Sequence, residues 1–292
     1  MTFIPNGQSR LSAKFYHYLR LILHKKRGVL RVAQIIRSLV ILGPFRNFII
    51  RYYQMFSRTI PIQTDSRALF PHLDVNAVAE NLHGSGFSLG SPLPQSELTE
   101  ILYFWENNKR VRNWNPHKEC EIIDKLSRNE RLVHIVRQYL GAEPILWLTE
   151  LRWTGGVNEK ESVPNSLYQE PNLYDVNSFH YDTLDCKSLS VFIYLTDVDL
   201  SAGPHVMIMG THKTKTFCEL ANLVLDDSMA YEKYADKVNV IVGSKGTVFF
   251  EETCAYHKAA SCDTHRLMLK FDYVIGRKPP PDRAQANIRF AS

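Results

Sequence analysis

From residue 145 onward the chain is a succession of short segments rich in β-branched and aromatic residues. Glycine, proline and asparagine, which are typical of turns, separate these segments. The pattern predicts strands over Ile145–Trp153, Val176–Tyr181, Leu189–Leu195, Val206–Met209, Val238–Val242, Thr247–Phe250 and Arg266–Val274. Regularly spaced short strands after a helical start are typical of a β-sandwich or jelly roll with helices along one side. We therefore predict an α+β fold that is mainly β.

The first 140 residues show helical rather than strand periodicity. Apolar residues at three- and four-residue spacing predict a helix over 11–24, a second that ends at Gly43-Pro44, and a third that runs from Phe48 to about Arg58. Further helices are predicted over Val75–Leu82, Ser96–Trp105 and Leu132–Leu140, with Gly141 as the stop of the last. Ser127-Arg128-Asn129-Glu130 has the form of a capping box in front of that helix.

The charges are unevenly distributed along the chain. Residues 1–64 contain eleven Lys and Arg and no Asp or Glu, whereas the remainder contains 24 basic and 30 acidic residues. This change in composition predicts three parts: a basic amphipathic helical segment (1–64), a β-rich domain (65–276) and an irregular tail (277–292). A basic segment joined to a mildly acidic body indicates an anionic partner for the segment.

Basic amphipathic helices can lie on an anionic membrane surface, so the sequence allows peripheral membrane contact through residues 11–58. In the alternative reading, their apolar faces cover the main domain and their basic faces are solvated. An Arg-rich, acid-free N-terminus also resembles a mitochondrial transit peptide. We expect no nucleic-acid partner, because no recognised nucleic-acid module accompanies the charge.

Hydrophobic runs and cysteine content indicate the cellular compartment of the protein. No stretch reaches the roughly 18 apolar residues needed to span a bilayer, and no apolar region close to the start indicates a secretory signal. The five cysteines are odd in number and contain no CxxC pair, which argues against a disulfide framework or a zinc ribbon and suits a reducing compartment. We therefore expect a cytoplasmic protein, with membrane association left open.

The candidate chemistry begins with His180 and Asp182, two residues apart in a predicted strand. Side chains i and i+2 of a strand project to the same face, so the imidazole and the carboxylate would share one cavity. A further histidine would complete the two-histidine, one-carboxylate ligand set of non-haem Fe(II) oxygenases. His257 follows the strand predicted over Thr247–Phe250, and Arg266, nine residues later, could clamp a carboxylate. Because His-x-Asp is common, a solvated histidine beside a loop carboxylate is the alternative.

This ordered set resembles a known family. His180-x-Asp182, the Gly203 turn with Gly210-Thr211-His212-Lys213, and then His257 and Arg266 are similar to the motifs of the phytanoyl-CoA dioxygenase family. Members of that family are Fe(II)- and 2-oxoglutarate-dependent oxygenases built on a double-stranded β-helix of the jelly-roll or cupin type. The resemblance spans roughly residues 70–276 and leaves the basic helices outside it.

The resemblance implies a role for each motif residue. His180, Asp182 and His257 would ligate Fe(II), Arg266 would bind the distal carboxylate of 2-oxoglutarate, and Phe192 would stand beside this cosubstrate. The implied reaction uses O2 to hydroxylate a small-molecule, lipid-linked or sugar-linked substrate, while 2-oxoglutarate is converted to succinate and CO2. His205 and Met209 depart from the family pattern, which usually has an aliphatic residue and a proline there.

Two other readings remain open at the level of sequence. The chain could be a non-catalytic member of the same fold that binds a ligand or a partner, although the presence of all four motif residues speaks against this. It could also be a cupin-like enzyme that uses another metal without 2-oxoglutarate, against which Arg266 speaks.

Overall fold

The computed structural model describes residues 35–56, 61–66, 69–155, 177–213 and 215–276. The helix predicted over 11–24 and the tail predicted over 277–292 lie outside these ranges, as does Val176 at the start of a predicted strand. Within the described ranges, eleven strands form two antiparallel sheets. The predicted fold class is confirmed: the chain is α+β, mainly β, with a jelly-roll pair of sheets and flanking helices.

The strands follow one another in the second half of the chain, after two short early ones. They are β1 (Phe87–Leu89), β2 (Arg112–Trp114), β3 (Ile145–Gly155), β4 (Phe179–His180), β5 (Ser188–Tyr194), β6 (His205–Ile208), β7 (Val224–Leu225), β8 (Val238–Ile241), β9 (Val248–Glu251), β10 (His257–Ala259) and β11 (His265–Val274). One sheet has the strand order β1-β9-β5-β11-β3-β2 and the other β7-β4-β10-β6-β8. All seven predicted strands are present, whereas β1, β2, β7 and β10 were not predicted. The strand predicted up to Tyr181 ends at His180, so Asp182 lies beyond it.

Helices occupy the first half of the described chain and the connection between β6 and β8. They are α1 (described over 35–42), α2 (Arg46–Phe56), α3 (Val75–Ser85), α4 (Gln95–Asn107), α5 (Glu121–Ser127), α6 (Glu130–Leu140), α7 (Phe217–Ala221) and α8 (Asp227–Tyr234). Short 3-10 turns lie at Pro116–Lys118 and Ala235–Lys237. Helices α5, α7 and α8 were not predicted from the sequence.

The capping box predicted at Ser127 is wrong. Asn129 caps α6, and its side-chain oxygen accepts hydrogen bonds from the backbone N–H groups of Arg131 and Leu132 (3.2 and 3.4 Å). Ser127 is the last residue of α5, and its hydroxyl instead donates to the Asp124 carbonyl (2.8 Å). The helix stop at Gly141 is confirmed, because this residue adopts the left-handed conformation (φ 69°) that favours glycine.

Alternation along β11 divides the interior into two environments. Leu267, Leu269, Phe271 and Tyr273 are buried in a core cluster that also contains residues of α3, α5 and α6. The residues that alternate with them, including Arg266 and Lys270, therefore face the opposite side of the sheet. The charged residues of β11 lie on the side of the sheet that faces away from the helices. The candidate site lies on this same side.

The described part of the basic segment packs against the β-rich domain. Ile49, Ile50 and Tyr53 of α2 contact the main core cluster, and Leu42 is buried in a second cluster with Phe179. One face of these helices therefore covers the domain, as one of the two sequence readings expected. None of the described helices is long and apolar enough to cross a bilayer.

Candidate metal centre

The structure brings His180, Asp182 and His257 together, although 77 positions separate the first histidine from the second. Each offers one ligand atom, and these atoms all lie within 4.8 Å of one another. His180 is 8% exposed and His257 6% exposed, so the imidazoles are enclosed by protein. Among the described residues, this is the one cluster of His, Cys, Asp or Glu with the geometry to hold a metal ion.

Pairing between β4 and β10 places the two histidines. His257 lies directly opposite His180 in the antiparallel register, and their ring centroids are 4.5 Å apart. His180 Nδ1 is 2.9 Å from the Ser178 carbonyl, and His257 Nδ1 is 3.0 Å from the Ala255 carbonyl. Because a carbonyl only accepts, both Nδ1 atoms carry a proton, and Nε2 is the ring nitrogen through which each histidine would bind a metal. This is how ligating histidines are usually oriented.

Asp182 reaches the same point from the loop after β4. Its backbone N–H donates to the Thr253 carbonyl (2.8 Å), which ties it to the loop in front of β10. Its Oδ2 lies 3.9 Å from His257 Nε2. His180 and Asp182 were predicted to lie on one face of a strand. They do point to the same side, but Asp182 lies beyond β4, and its backbone hydrogen bond to Thr253 holds it there.

The protonation states of the three groups suit a cation. Burial, with His180 nearby, lowers the pKa of His257 to about 4, so its imidazole is neutral at neutral pH. Burial alone would raise the pKa of Asp182, but the positive charge of Lys270 above all, with a contribution from the Thr253 side chain, acts against it, and the pKa is lowered below its usual value. Two imidazoles, of which that of His257 is neutral, and one carboxylate therefore face a common point.

The donor set fits Fe(II) in its chemistry. Two imidazoles and one carboxylate on one face are the ligands of non-haem iron sites, and they leave further coordination positions open. An octahedral ion with bonds of about 2.1 Å holds neighbouring donors about 3 Å apart. The distance of 3.9 Å between His257 Nε2 and Asp182 Oδ2 is wider than this. A side-chain rotation that brings these two atoms about one ångström closer would remove the difference.

Lys270 and Asp272 are site residues that sequence reasoning missed. Lys270 Nζ lies 3.8 Å from Asp182 Oδ2 and 3.1 Å from Asp272 Oδ1. Asp272 is 2% exposed and accepts a hydrogen bond from the Ser190 hydroxyl (2.5 Å). Burial would lower the pKa of Lys270, but the two carboxylates outweigh it and raise that pKa, so the ammonium stays charged. A buried chain of charges thus runs from β5 through β11 to the carboxylate of the triad.

Glu251 and His205 form a second unpredicted group behind His257. Glu251 Oε2 lies 2.6 Å from His205 Nε2, and Oε1 lies 3.6 Å from His257 Nδ1. Burial raises the pKa of Glu251 to about 7 and lowers the pKa of His205 well below its usual value. The His205 ring stacks on His257, with centroids 5.4 Å apart. His205 therefore supports the triad from one side without being part of it.

Phe192 and Arg266 lie on neighbouring strands of the other sheet. Phe192 stacks on Phe249 (centroids 4.8 Å apart) and its ring lies 5.0 Å from that of His205. Arg266 is 3% exposed and donates to the Gly203 carbonyl. Its Nε has no hydrogen-bond partner among the described residues. A buried cation with an unused donor is a group that can bind an anionic ligand.

A signal for the missed residues was present in the sequence. Lys270 and Asp272 lie four and six residues after Arg266, so strand alternation places all three on one face. His265 lies on the opposite face and is exposed, as that alternation predicts. No comparable pattern marks Glu251, because β9 is buried on both faces.

The chain resembles known proteins in structure rather than in sequence. No family model matches the sequence, and no curated protein matches it. Among solved structures, EctD from S. alaskensis with bound Fe is similar with a TM-score of 0.52 and 15% identity, covering 76% of this chain and 85% of that one. HygX from Streptomyces hygroscopicus, with nickel and 2-oxoglutarate bound, has a TM-score of 0.50 and 16% identity, covering 70% and 87%. At such low identity these similarities establish the fold that the chain shares with non-haem iron and 2-oxoglutarate oxygenases.

Proposed function

We propose that this protein is an Fe(II)- and 2-oxoglutarate-dependent dioxygenase similar to the phytanoyl-CoA dioxygenase family. The observation that carries the proposal is the convergence of His180, Asp182 and His257 at one point between the sheets, with both Nδ1 atoms turned to backbone carbonyls. The reaction would hydroxylate a small-molecule, lipid-linked or sugar-linked substrate.

Each polar group near the triad has a place in this reaction. His180, Asp182 and His257 would hold Fe(II), and Arg266 would bind the distal carboxylate of 2-oxoglutarate beside Phe192. Iron and 2-oxoglutarate, when bound, would supply the oxidising chemistry with O2, and succinate and CO2 would leave as products. The buried walls, including Phe249 and Tyr194, would exclude water from the reacting atoms.

The solved relatives support a small-molecule substrate. EctD has been solved with 2-oxoglutarate and 5-hydroxyectoine bound; that structure has a TM-score of 0.51, 15% identity and coverage of 77% of this chain. HygX has been solved with 2-oxoglutarate. In both cases a shared fold holds a keto acid, and a site with a carboxylate-binding cation fits the same cosubstrate here.

Anaerobic titration tests the proposal directly. Adding 2-oxoglutarate to the Fe(II)-loaded protein is expected to produce the visible charge-transfer absorption of a chelated keto acid, and succinate, which lacks the keto group, is expected to produce none. A protein that binds metal without this band would be a cupin-like enzyme of another type. A protein that fails to bind Fe(II) at micromolar concentrations would be a non-catalytic ligand- or partner-binding member of the fold.

We also propose that the basic segment contacts an anionic membrane surface. Phe48, Tyr52, Met55 and Phe56 of α2, with Phe45 directly before it, form an exposed stripe, here called the outer stripe, at the spacing of one helix face. Phe48 is 74% exposed and Met55 71% exposed. Since residues 1–64 contain eleven basic and no acidic residues, an apolar stripe in this setting complements an anionic bilayer.

Vesicle flotation tests the membrane contact. The full chain is expected to float with vesicles that contain about 30% phosphatidylserine at low salt and to be released at about 1 M NaCl, where the Debye length falls to about 3 Å. F48S/M55S is expected to lose most of the binding. Y103S, which removes a 73% exposed tyrosine from α4, is the matched control and should bind like the parent.

Other occupants of the outer stripe give different results. If a second copy covers it, the parent will be a dimer that F48S/M55S converts to a monomer, and neither will float. If residues of the same chain cover it, F48S/M55S will lower the melting temperature without any vesicle binding by the parent. Either result contradicts the membrane proposal.

A further inference from the structure

Arg46, the first residue of α2, extends into the β-rich domain. Its side chain is 12% exposed. Nε donates to the Cys186 carbonyl (2.7 Å), and the other two nitrogens donate to the His212 carbonyl and to Glu252 Oε1. These three acceptors are 140, 166 and 206 positions away along the chain. One guanidinium therefore joins the basic segment to three distant parts of the fold.

Glu252 depends on this contact. It is 1% exposed, and its Oε2 accepts a hydrogen bond from the Tyr139 hydroxyl. Burial raises the pKa of Glu252, and the positive charge of Arg46 acts in the opposite direction. A buried carboxylate is stable in its charged form only with a partner of this kind. Tyr139 and Cys254 also contact this carboxylate, but Arg46 is its cationic partner and so helps to fix the position of residue 252.

Residues 252–256 connect β9 to β10 and orient two of the three triad residues. The Thr253 carbonyl accepts the backbone N–H of Asp182 (2.8 Å), and the Ala255 carbonyl lies 3.0 Å from His257 Nδ1. The loop is itself closed by a hydrogen bond from the Ala255 N–H to the Glu252 carbonyl (2.9 Å). A displacement of Glu252 would therefore move both carbonyls that hold Asp182 and His257.

We infer that Arg46 is a positioning residue of the metal centre. By holding Glu252, it sets the loop whose carbonyls orient Asp182 and His257, so the basic segment is part of the scaffold of the site. The inference rests on the proposed function, in which these residues bind a metal. Arg46 touches no reacting atom, and its effect reaches the site through the loop.

Metal affinity distinguishes this role from a general contribution to stability. Full-length R46M is expected to bind Co(II) at least about tenfold more weakly than the parent at a temperature where both are folded, which is the range for groups that orient ligands. The visible spectrum of bound Co(II) is also expected to change, because the ligand geometry changes. R51M is the matched control: Arg51 lies on the same helix and is exposed, and R51M should bind Co(II) like the parent.

Two further variants keep the inference testable if R46M folds poorly. R46K retains the charge but cannot reach three acceptors at once, so intermediate affinity is expected. R46M/E252M removes both charges and avoids an unpaired buried carboxylate, so it should be folded and still bind Co(II) weakly. Parent-like affinity in either R46M or R46M/E252M would overturn the positioning role. Absence of Co(II) binding by the parent itself would instead overturn the proposed function.

Discussion

D182A is expected to reduce succinate formation from 2-oxoglutarate strongly. Loss of a residue that hydrogen-bonds to a metal ligand costs roughly 10- to 100-fold, and loss of the ligand itself should cost more. The substitution removes the only carboxylate of the triad and leaves two imidazoles, which by themselves hold a divalent cation weakly. It also leaves Lys270, 3.8 Å from Asp182 Oδ2, with its positive charge facing the metal position. Both changes lower metal affinity.

The measurement compares succinate release by the parent and by D182A with Fe(II), 2-oxoglutarate and O2. Because many such enzymes turn over the keto acid slowly without substrate, the assay does not require the substrate to be known. D236A is the control, since Asp236 is an exposed aspartate outside the site, and it should release succinate at the parent rate. Equal release by the parent and D182A would refute the proposed chemistry.

The fold and the triad were accessible from the sequence because both depend on local patterns. Alternating and β-branched residues specify strands over a few positions, so all seven predicted strands are present in the structure. The triad was found because His180, Asp182 and His257 appear in a characteristic order. The reason given for Asp182 was only partly right: its place is set by a hydrogen bond to Thr253, a contact 71 positions away.

The residues that the sequence did not reveal act through distant contacts. Nothing near Arg46 in the chain indicates that it pairs with Glu252, 206 positions later. Periodicity showed that α2 has apolar faces, but it could not show which face packs on the core and which remains exposed. Lys270 and Asp272 are an exception, because they continue the alternation that begins at Arg266 and were therefore predictable from the sequence.

R266M is expected to raise the KM for 2-oxoglutarate by about 100-fold, with a smaller effect on the rate at saturation. A hydrogen bond to a charged group contributes about 1.5–3 kcal/mol, so two such contacts to one carboxylate are sufficient for a change of about 100-fold in KM. Arg266 is suited to the role because it is buried, charged and has an unpartnered Nε among the described residues. R266K should have a KM for 2-oxoglutarate between those of the parent and R266M, since an ammonium restores the charge but not the two-point geometry.

K270M is the informative comparison, because Lys270 is the other cation on the same face of β11. If Arg266 binds the distal carboxylate, R266M will raise the KM for 2-oxoglutarate far more than K270M does. K270M should instead weaken metal binding or alter its spectrum, since Lys270 contacts Asp182. A large rise in KM with K270M and none with R266M would assign the cosubstrate to Lys270 and contradict the role proposed for Arg266. Titrating each variant with 2-oxoglutarate under anaerobic conditions measures this binding without dependence on turnover.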